Sequence, residues 1–154
     1  MSKIFKKILV PVDFTERTAP AVRKGVHLID PEQGHICLLY ICKPLFSLNM
    51  FFDTGYFVAP PSEILTNSEI GQGFSKYVAM ITQKAPQIKI DTIVSKAGRF
   101  QHKIEEAALG FGPDLIIVSD STDRRYLFSG SVSLRDIAKN TRCAVLNLGD
   151  FSEA

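Results

Sequence analysis

The stretch Ile8-Leu9-Val10-Pro11-Val12-Asp13 is a near-continuous apolar run that stops on an aspartate. Such a run is expected of a strand that is buried on both faces, as in a parallel sheet covered by helices. A helix is predicted to follow, capped by Thr15 or by Thr18, with Pro20 in its first turn. These residues predict the first strand–helix unit of an α/β fold.

The same alternation of strands and helices continues along the chain. Further strands are predicted at residues 36–41, 88–94, 115–118 and 144–148. Helices are predicted over residues 62–84, after Gly98 and after Gly130, and the helix after Gly98 carries the apolar residues Ile104, Ala107, Ala108 and Leu109. The order βαβαβαβαβ predicts one domain over residues 1–154, with a doubly wound parallel sheet, helices on both faces and the third strand nearer the edge.

Composition excludes several classes of function. The formal net charge is +2, from 18 basic and 16 acidic residues, which is too balanced to indicate binding to nucleic acid or to an anionic membrane. No apolar run reaches the roughly 20 residues that span a bilayer, and no signal-peptide core precedes the first strand, so a cytoplasmic location is expected. Cys37 and Cys42 face opposite sides of one predicted strand and so cannot bond each other there, and the cysteines are predicted to be small buried hydrophobic residues.

Residues 43–61 form a long connection that interrupts the alternation. Five aromatic residues lie within 46–57, and connections of this length in compact domains are usually functional or mobile. Residues 46–57 could therefore present a patch to a protein partner. They could equally fold over the core of the domain or over a dimer interface.

Two features are predicted to lie together at the carboxyl edge of the sheet, where open α/β folds bind ligands. Asp13 ends the first strand, and the turn Ser129-Gly130-Ser131-Val132-Ser133 opens the last helix. The N–H groups and positive dipole end of such a helix suit a phosphate. Asp13 could instead form only a turn, and Gly130-Ser131 could be only a helix cap. Their shared position predicts a ligand cleft.

Other phosphate and catalytic motifs are absent from the sequence. No Walker A motif and no GxGxxG follows the first strand, and Gly71-Gln72-Gly73 lies inside a helical pattern. A response-regulator receiver would need an aspartate after the third strand, where this chain has Ser95-Lys96. No nucleophile elbow, general base or metal cluster is evident, so an efficient enzyme is not expected.

Four segments together resemble the universal stress protein family over nearly the whole chain. They are Lys7-Ile8-Leu9-Val10-Pro11-Val12-Asp13-Phe14-Thr15, Asp114-Leu115-Ile116-Ile117-Val118, Gly130-Ser131-Val132-Ser133 and Cys143-Ala144-Val145-Leu146. The resemblance implies a five-stranded sheet in the order 3-2-1-4-5 and a homodimer formed through the last strand, 144–148. Some members of this family bind ATP and others do not.

The resemblance also assigns a nucleotide site and its ligands. Pro11, Val12, Asp13 and the backbone near Ile41 would flank the base, Ser119 and Thr122 would line the loop after the fourth strand, and Gly130, Ser131, Val132 and Ser133 would hold phosphate. The implied ligands are ATP or AMP with Mg²⁺, and the resemblance implies at most slow ATP hydrolysis.

The loop after the fourth strand departs from the family pattern. Nucleotide-binding members have Gly-x-x-Gly there, followed after a longer spacer by Gly and Ser or Thr. This chain has Ser119 and Thr122 at the glycine positions and only seven residues, 123–129, before Gly130. Side chains at these positions remove the close approach that glycine allows.

The acidic residues of the altered loop also disfavour the binding of a polyphosphate. Asp120 and Asp123 each repel a phosphate by several kcal/mol at about 4 Å and an effective dielectric constant of about 20. Arg124, Arg125 and Arg99 could offset that repulsion. The sequence predicts a stress-response protein that binds an adenine nucleotide weakly or binds a smaller phosphorylated ligand. The alternative is a dimeric adaptor that binds no nucleotide.

Overall fold

A computed structural model describes residues 5–42, 65–119 and 133–148. Five strands form one parallel sheet in the order β3-β2-β1-β4-β5, which confirms the predicted architecture and strand order. The strands are β1 (Lys7–Val12), β2 (His35–Ile41), β3 (Lys89–Ser95), β4 (Leu115–Val118) and β5 (Ala144–Asn147). The helices of the described residues are α1 (Ala19–Leu28), α2 (Asn67–Lys84), α3 (Phe100–Phe111) and α4 (Leu134–Thr141).

Helices cover both faces of the sheet because the central strands are apolar on both sides. One core contains Ile8, Val10 and Val12 of β1 together with apolar residues of α1 and α2. The other contains Leu9 of β1 together with apolar residues of α3 and α4, among them Ile104 and Ile137. Alternate residues of β1 therefore belong to different cores, as the period of two in a strand requires.

The pairing of β1 differs on its two sides. With β2 it is paired along its whole length, from Lys7 opposite His35 to Val12 opposite Tyr40. With β4 the register covers Ile8 opposite Leu115 and Leu9 opposite Ile116, near the amino ends of the strands. Pro11 has no N–H with which to extend that ladder. The carboxyl ends of β1 and β4 flank the point where the winding of the sheet reverses, which is the usual ligand crevice of such folds.

The predicted helix boundaries were less accurate than the predicted strand boundaries. α1 begins at Ala19, so it starts after Thr18 and not after Thr15, and Pro20 lies in its first turn as predicted. α2 begins at Asn67, where Thr66 and Glu69 form a reciprocal capping box. The prediction that this helix starts at residue 62 was wrong for residues 65 and 66, and residues 62–64 lie outside the described residues. The connection 43–61 lies outside them as well.

The apolar face of α3 was only partly predicted. Phe100, Ile104 and Ala108 are buried, whereas Leu109 is 78% exposed, so its assignment to the apolar face was wrong. Buried residues spaced by four lie on one stripe of a helix, and Leu109 lies beside that stripe. Gly112 ends the helix in the left-handed region at φ 71°.

The prediction that the cysteines are buried is correct for one of the three. All three are free, and Cys37 is buried in the sheet, whereas Cys42 and Cys143 are half-buried. Burial raises the pKa of the Cys37 thiol to about 12. Across the three described segments, no helix combines the length and the apolar character that crossing a bilayer requires.

Phe14, directly after Asp13, anchors the β1–α1 loop against α2. Its ring stacks on Tyr40 with centroids 4.9 Å apart and meets Phe74 edge-on at 4.9 Å. Its backbone adopts φ 64°, an unusual value for a bulky side chain that tertiary packing must hold in place. Gly73 of α2 permits this packing, because a Cβ there would lie 2.5 Å from Cγ of Phe14.

We predict opposite effects for alanine at the two glycines of α2. Gly73→Ala should lower the free energy of unfolding by about 1–3 kcal/mol, because the added methyl group displaces the Phe14 ring. Gly71→Ala should raise it by up to about 1 kcal/mol, because a Cβ at Gly71 meets nothing within 4 Å and alanine is the better helix former. Urea denaturation of both variants tests this, and a stabilising Gly73→Ala would contradict the packing described.

Candidate functional site

Asp13 lies at the carboxyl end of β1 with one carboxylate oxygen fully engaged. Oδ1 accepts hydrogen bonds from the Thr15 backbone N at 3.0 Å, from Thr15 Oγ1 at 2.5 Å and from Thr18 Oγ1 at 3.0 Å. These bonds support the interpretation of Asp13 as a turn-forming residue. Oδ2 accepts no hydrogen bond from the part of the chain that the structure describes. Within the described residues, the half-buried carboxylate therefore has one oxygen without a hydrogen-bond partner.

Thr18 connects Asp13 to α2 through Tyr77. Thr18 is fully buried, and its Oγ1 also accepts a hydrogen bond from the Asp13 backbone N at 3.2 Å. The Tyr77 hydroxyl lies 3.0 Å from Thr18 Oγ1 and donates to the Thr15 carbonyl oxygen at 3.2 Å. Because of these contacts the Thr18 hydroxyl does not cap α1, although Thr18 occupies the N-cap position. The sequence suggested Thr18 only as a cap and gave no role to Tyr77.

The other residues assigned to the base end lie at the same edge of the sheet. Pro11 and Val12 end β1, and Ile41 ends the neighbouring strand β2. All three are buried, with Val12 in the core under α1 and α2 and Ile41 in the core under α3 and α4. The side chains of Val12 and Ile41 thus belong to the cores, and what these two residues can present to a ligand is strand backbone.

Ser119, which follows β4, spans the crevice between β4 and the β1–α1 loop. Its side chain is largely buried, and its Oγ donates a 2.7 Å hydrogen bond to the carbonyl oxygen of Arg17. A glycine at this position would have no such donor. Ser119 therefore fastens the two sides of the crevice together, a role that the sequence did not indicate. Thr122, its counterpart in the predicted loop, lies outside the described residues.

The last helix begins later than predicted. α4 starts at Leu134 with Ser133 as its N-cap, so the expectation that Gly130-Ser131 open the helix was wrong. Ser133 Oγ accepts a hydrogen bond from the Asp136 N at 3.2 Å, and the Ser133 N donates to Gln101 Oε1 at 3.1 Å. Two N–H groups at this end thus have partners within the protein. Gly130, Ser131 and Val132 lie outside the described residues.

The two predicted ends of the site, for a base and for a phosphate, differ in what they offer. At the base end, Asp13 Oδ2 has no hydrogen-bond donor among the described residues and lies beside the ends of two strands. At the phosphate end, Ser119 replaces a glycine and is hydrogen-bonded to Arg17, and Ser133 already caps α4. Residues 5–42, 65–119 and 133–148 contain no group of three or more metal-ligating side chains, and Asp120 and Asp123 lie outside these ranges.

Two buried tyrosines beside Asp13 differ in their hydrogen bonding. Burial raises the pKa of Tyr40 to about 12, with smaller contributions from Cys42 and Asp13. Burial also raises the pKa of Tyr77. The Tyr77 hydroxyl has partners in Thr18 and Thr15, whereas the Tyr40 hydroxyl has none among the described residues.

Comparison with known proteins connects this geometry to one family. A sequence model of the universal stress protein family matches residues 4–147. A crystal structure of a protein of that family from Burkholderia pseudomallei aligns with a TM-score of 0.60 and 16% identity, covering 92% of this chain and 94% of its own. Comparison with curated proteins gave no match.

Two further structures of similar fold contain nucleotides. A universal stress protein family protein from Arabidopsis thaliana, with AMP bound, aligns with a TM-score of 0.58 and 14% identity over 92% of this chain and 90% of its own. A universal stress protein in complex with cAMP aligns with a TM-score of 0.57 and 11% identity over 94% of this chain and 97% of its own. At these identities the likeness shows the fold.

The two tyrosines give a matched prediction on stability and pH. At pH 7, Tyr77→Phe should lower the free energy of unfolding by about 1–2 kcal/mol, because it removes the hydroxyl that contacts Thr18 and Thr15, and Tyr40→Phe should leave it nearly unchanged. An unfolded tyrosine titrates near 10.0 and folded Tyr40 near 12, so stability is lost as the pH rises through this interval. The full loss is about 3 kcal/mol for a shift of this size, and Tyr40→Phe should lack it.

Urea denaturation followed by circular dichroism between pH 7 and 11 measures both effects. An equal loss of stability in the two variants at pH 7 would contradict the hydrogen bonding described. A Tyr40→Phe variant whose stability falls above pH 10 as steeply as that of the parent protein would contradict the raised pKa of Tyr40.

Proposed function

The chain belongs to the universal stress protein family, and from this premise we propose that it is a stress-response protein that binds an adenine mononucleotide. The site is the carboxyl edge of β1, β2 and β4. The observation that carries the proposal is the carboxylate of Asp13, whose Oδ1 is held by three donors while Oδ2 has no partner in the described residues. A carboxylate accepts hydrogen bonds from the amino group of a base or from a ribose hydroxyl. The AMP and cAMP complexes of similar fold support this ligand class.

The phosphate end favours one phosphate group over three. Ser119 brings a side chain to a position where nucleotide-binding relatives have glycine, and its hydroxyl is engaged with Arg17. Asp120 and Asp123 follow in sequence and would repel a polyphosphate. A single phosphate carries less charge and needs a shorter cradle. We therefore expect AMP to bind more tightly than ATP, with Mg²⁺ required only for the latter.

The direct test is the nucleotide content and thermal stability of the purified protein. Denaturation followed by mass spectrometry should release AMP or a related adenine mononucleotide. Added AMP, at a concentration about 100 times its Kd, should raise the Tm by about 5–10 °C. The same titration with ADP, ATP and cAMP, each with and without Mg²⁺, ranks the ligands.

Two variants connect the shift to the site. Asp13→Ala should reduce the AMP-dependent rise in Tm to a small residual shift. Asp30→Ala is the matched control, because Asp30 makes similar turn bonds, to the N–H groups of Glu32 and Gln33, at the opposite edge of the sheet. Gly130→Asp, which adds a carboxylate at the proposed phosphate end, should abolish the shift. A parent protein that is empty and indifferent to all four nucleotides would overturn the proposal.

The second candidate is a homodimeric adaptor, and the exposure of β5 favours the dimer. β4 is buried throughout, whereas Ala144 is exposed and the other β5 residues, Val145 to Asn147, are only half-buried. A second copy that pairs along 144–148 would cover this outer strand. The segment 46–57, which the adaptor would use for a further partner, lies outside the described residues.

We predict that Ala144→Glu converts a dimeric parent protein to a monomer, because it would place an unpaired carboxylate in the interface where the two strands pair. Ala79→Glu, at another exposed alanine on α2, should leave the dimer intact. Light scattering coupled to size exclusion measures the mass of each. A monomeric parent, or a dimer that survives Ala144→Glu, would refute this interface.

A further inference from the structure

We propose that Thr18 and Tyr77 are positioning residues that hold the Asp13 carboxylate in the orientation that leaves Oδ2 for the ligand. This inference rests on the proposed nucleotide function. It adds to that function two residues which the sequence motifs did not assign. Neither residue needs to touch the ligand, because both act through Asp13.

The Thr18 and Tyr77 hydroxyls each bring a single proton to this network. The Thr18 hydroxyl has a single proton, and it donates this proton to Asp13 Oδ1 at 3.0 Å. A hydrogen bond to a carboxylate is stronger than one to a neutral oxygen. The Tyr77 hydroxyl then donates to Thr18 Oγ1 at 3.0 Å, and its single proton is shared with the Thr15 carbonyl oxygen at 3.2 Å. Tyr77 thus orients Thr18, and Thr18 in turn orients the carboxylate of Asp13.

Burial makes this arrangement rigid. Thr18 is 0% exposed, so its hydroxyl cannot exchange these partners for bulk water. Its Oγ1 also accepts from the Asp13 backbone N at 3.2 Å, so the same atom holds Asp13 at its main chain and at its carboxylate. A buried hydroxyl with four neighbouring polar atoms has little freedom to rotate.

Three elements outside β1 hold the loop that contains Asp13 and Thr18. α2 contributes Tyr77, which is 59 residues from Thr18 in sequence. β2 contributes Tyr40, on which the Phe14 ring stacks. The end of β4 contributes Ser119, which donates to the Arg17 carbonyl oxygen at 2.7 Å. The orientation of Asp13 is therefore fixed before any ligand arrives.

A fixed acceptor improves binding because the ligand does not have to order it. Loss of side-chain freedom on binding costs free energy, and a carboxylate that is already oriented avoids that cost. Without the Thr18 donor, Asp13 would keep its two bonds from Thr15 but lose the one that connects it to α2. Its carboxylate could then rotate, and AMP would bind more weakly without any change in the groups that contact it.

A double-mutant cycle on AMP affinity tests this proposal. Thr18→Val removes the hydroxyl with little change in volume and should weaken AMP binding about tenfold, the size expected for a lost hydrogen bond to a charged group. Thr18→Ser keeps the hydroxyl and should restore binding to within about twofold. Tyr77→Phe, the second variant, should weaken binding by a smaller factor. Calorimetric titration at a temperature where each variant is folded gives the dissociation constants.

The Asp13→Ala background separates positioning from general destabilisation. In that background Thr18→Val should have no further effect on the residual AMP affinity, because Thr18 acts through the missing carboxylate. A loss of the same factor in both backgrounds would overturn the proposal. So would an AMP affinity that is unchanged in Thr18→Val.

Hydrogen exchange of the ligand-free protein distinguishes this inference from the proposed function. The Thr15 amide, which donates to Asp13 Oδ1, should exchange several-fold faster in Thr18→Val and at the parental rate in Thr18→Ser. That result with a parent protein that does not bind AMP would refute the proposed function while supporting the orientation of Asp13 by Thr18. An unchanged Thr15 exchange rate would refute the positioning itself.

Discussion

Burial of β1 on both of its faces is the constraint from which the rest of the structure follows. Leu9 and Val10 are adjacent, point to opposite faces and are both completely buried. Two layers of helices are needed to bury them, so the chain adds α1 and α2 on one face and then α3 and α4 on the other. That change of face requires β4 to join β1 on the side away from β2. The crevice at the carboxyl ends of β1 and β4 is a consequence, and Asp13 lies at its edge.

The fold was largely predictable because it depends on apolar runs. The strand predictions rested on residues 36–41 and 115–118, which are apolar throughout, and on residues 88–94, which mix apolar and polar side chains. The mixed segment corresponds to β3, which lies at an edge of the sheet. Helix starts were harder to predict because they depend on single side chains. Thr15 and Thr18 are equally plausible caps by residue type, and the choice between them depends on Tyr77, which is distant in sequence. Leu109 has the hydropathy of a core residue and is nevertheless exposed, because only the spacing along α3 determines which side faces the sheet.

The candidate site was predictable in position but not in detail. Asp13 could be placed at the carboxyl edge because it ends a buried strand. Its two oxygens have different surroundings only because Thr15 and Thr18 both turn toward Oδ1, and no sequence pattern encodes that. Ser119 illustrates the same limit. Its residue type suggested a lost glycine, whereas the structure gives its hydroxyl a definite partner in Arg17. The geometry at this edge of the sheet depends on the hydrogen bonds of hydroxyl groups. The partners of a hydroxyl group cannot be predicted from the residue type alone.

The contact between Phe14 and Gly73 has a consequence for how this protein can diverge in evolution. The ring occupies the space that any side chain at position 73 would need, and a Cβ there would come within 2.5 Å of it. The two positions are therefore coupled: a larger residue at 73 becomes tolerable only after residue 14 has become smaller. Because Phe14 directly follows Asp13, such an exchange would also alter the turn that carries the carboxylate. Substitution at position 73, in the middle of α2, is thus restrained by residue 14, which lies in a loop more than fifty positions earlier in the chain.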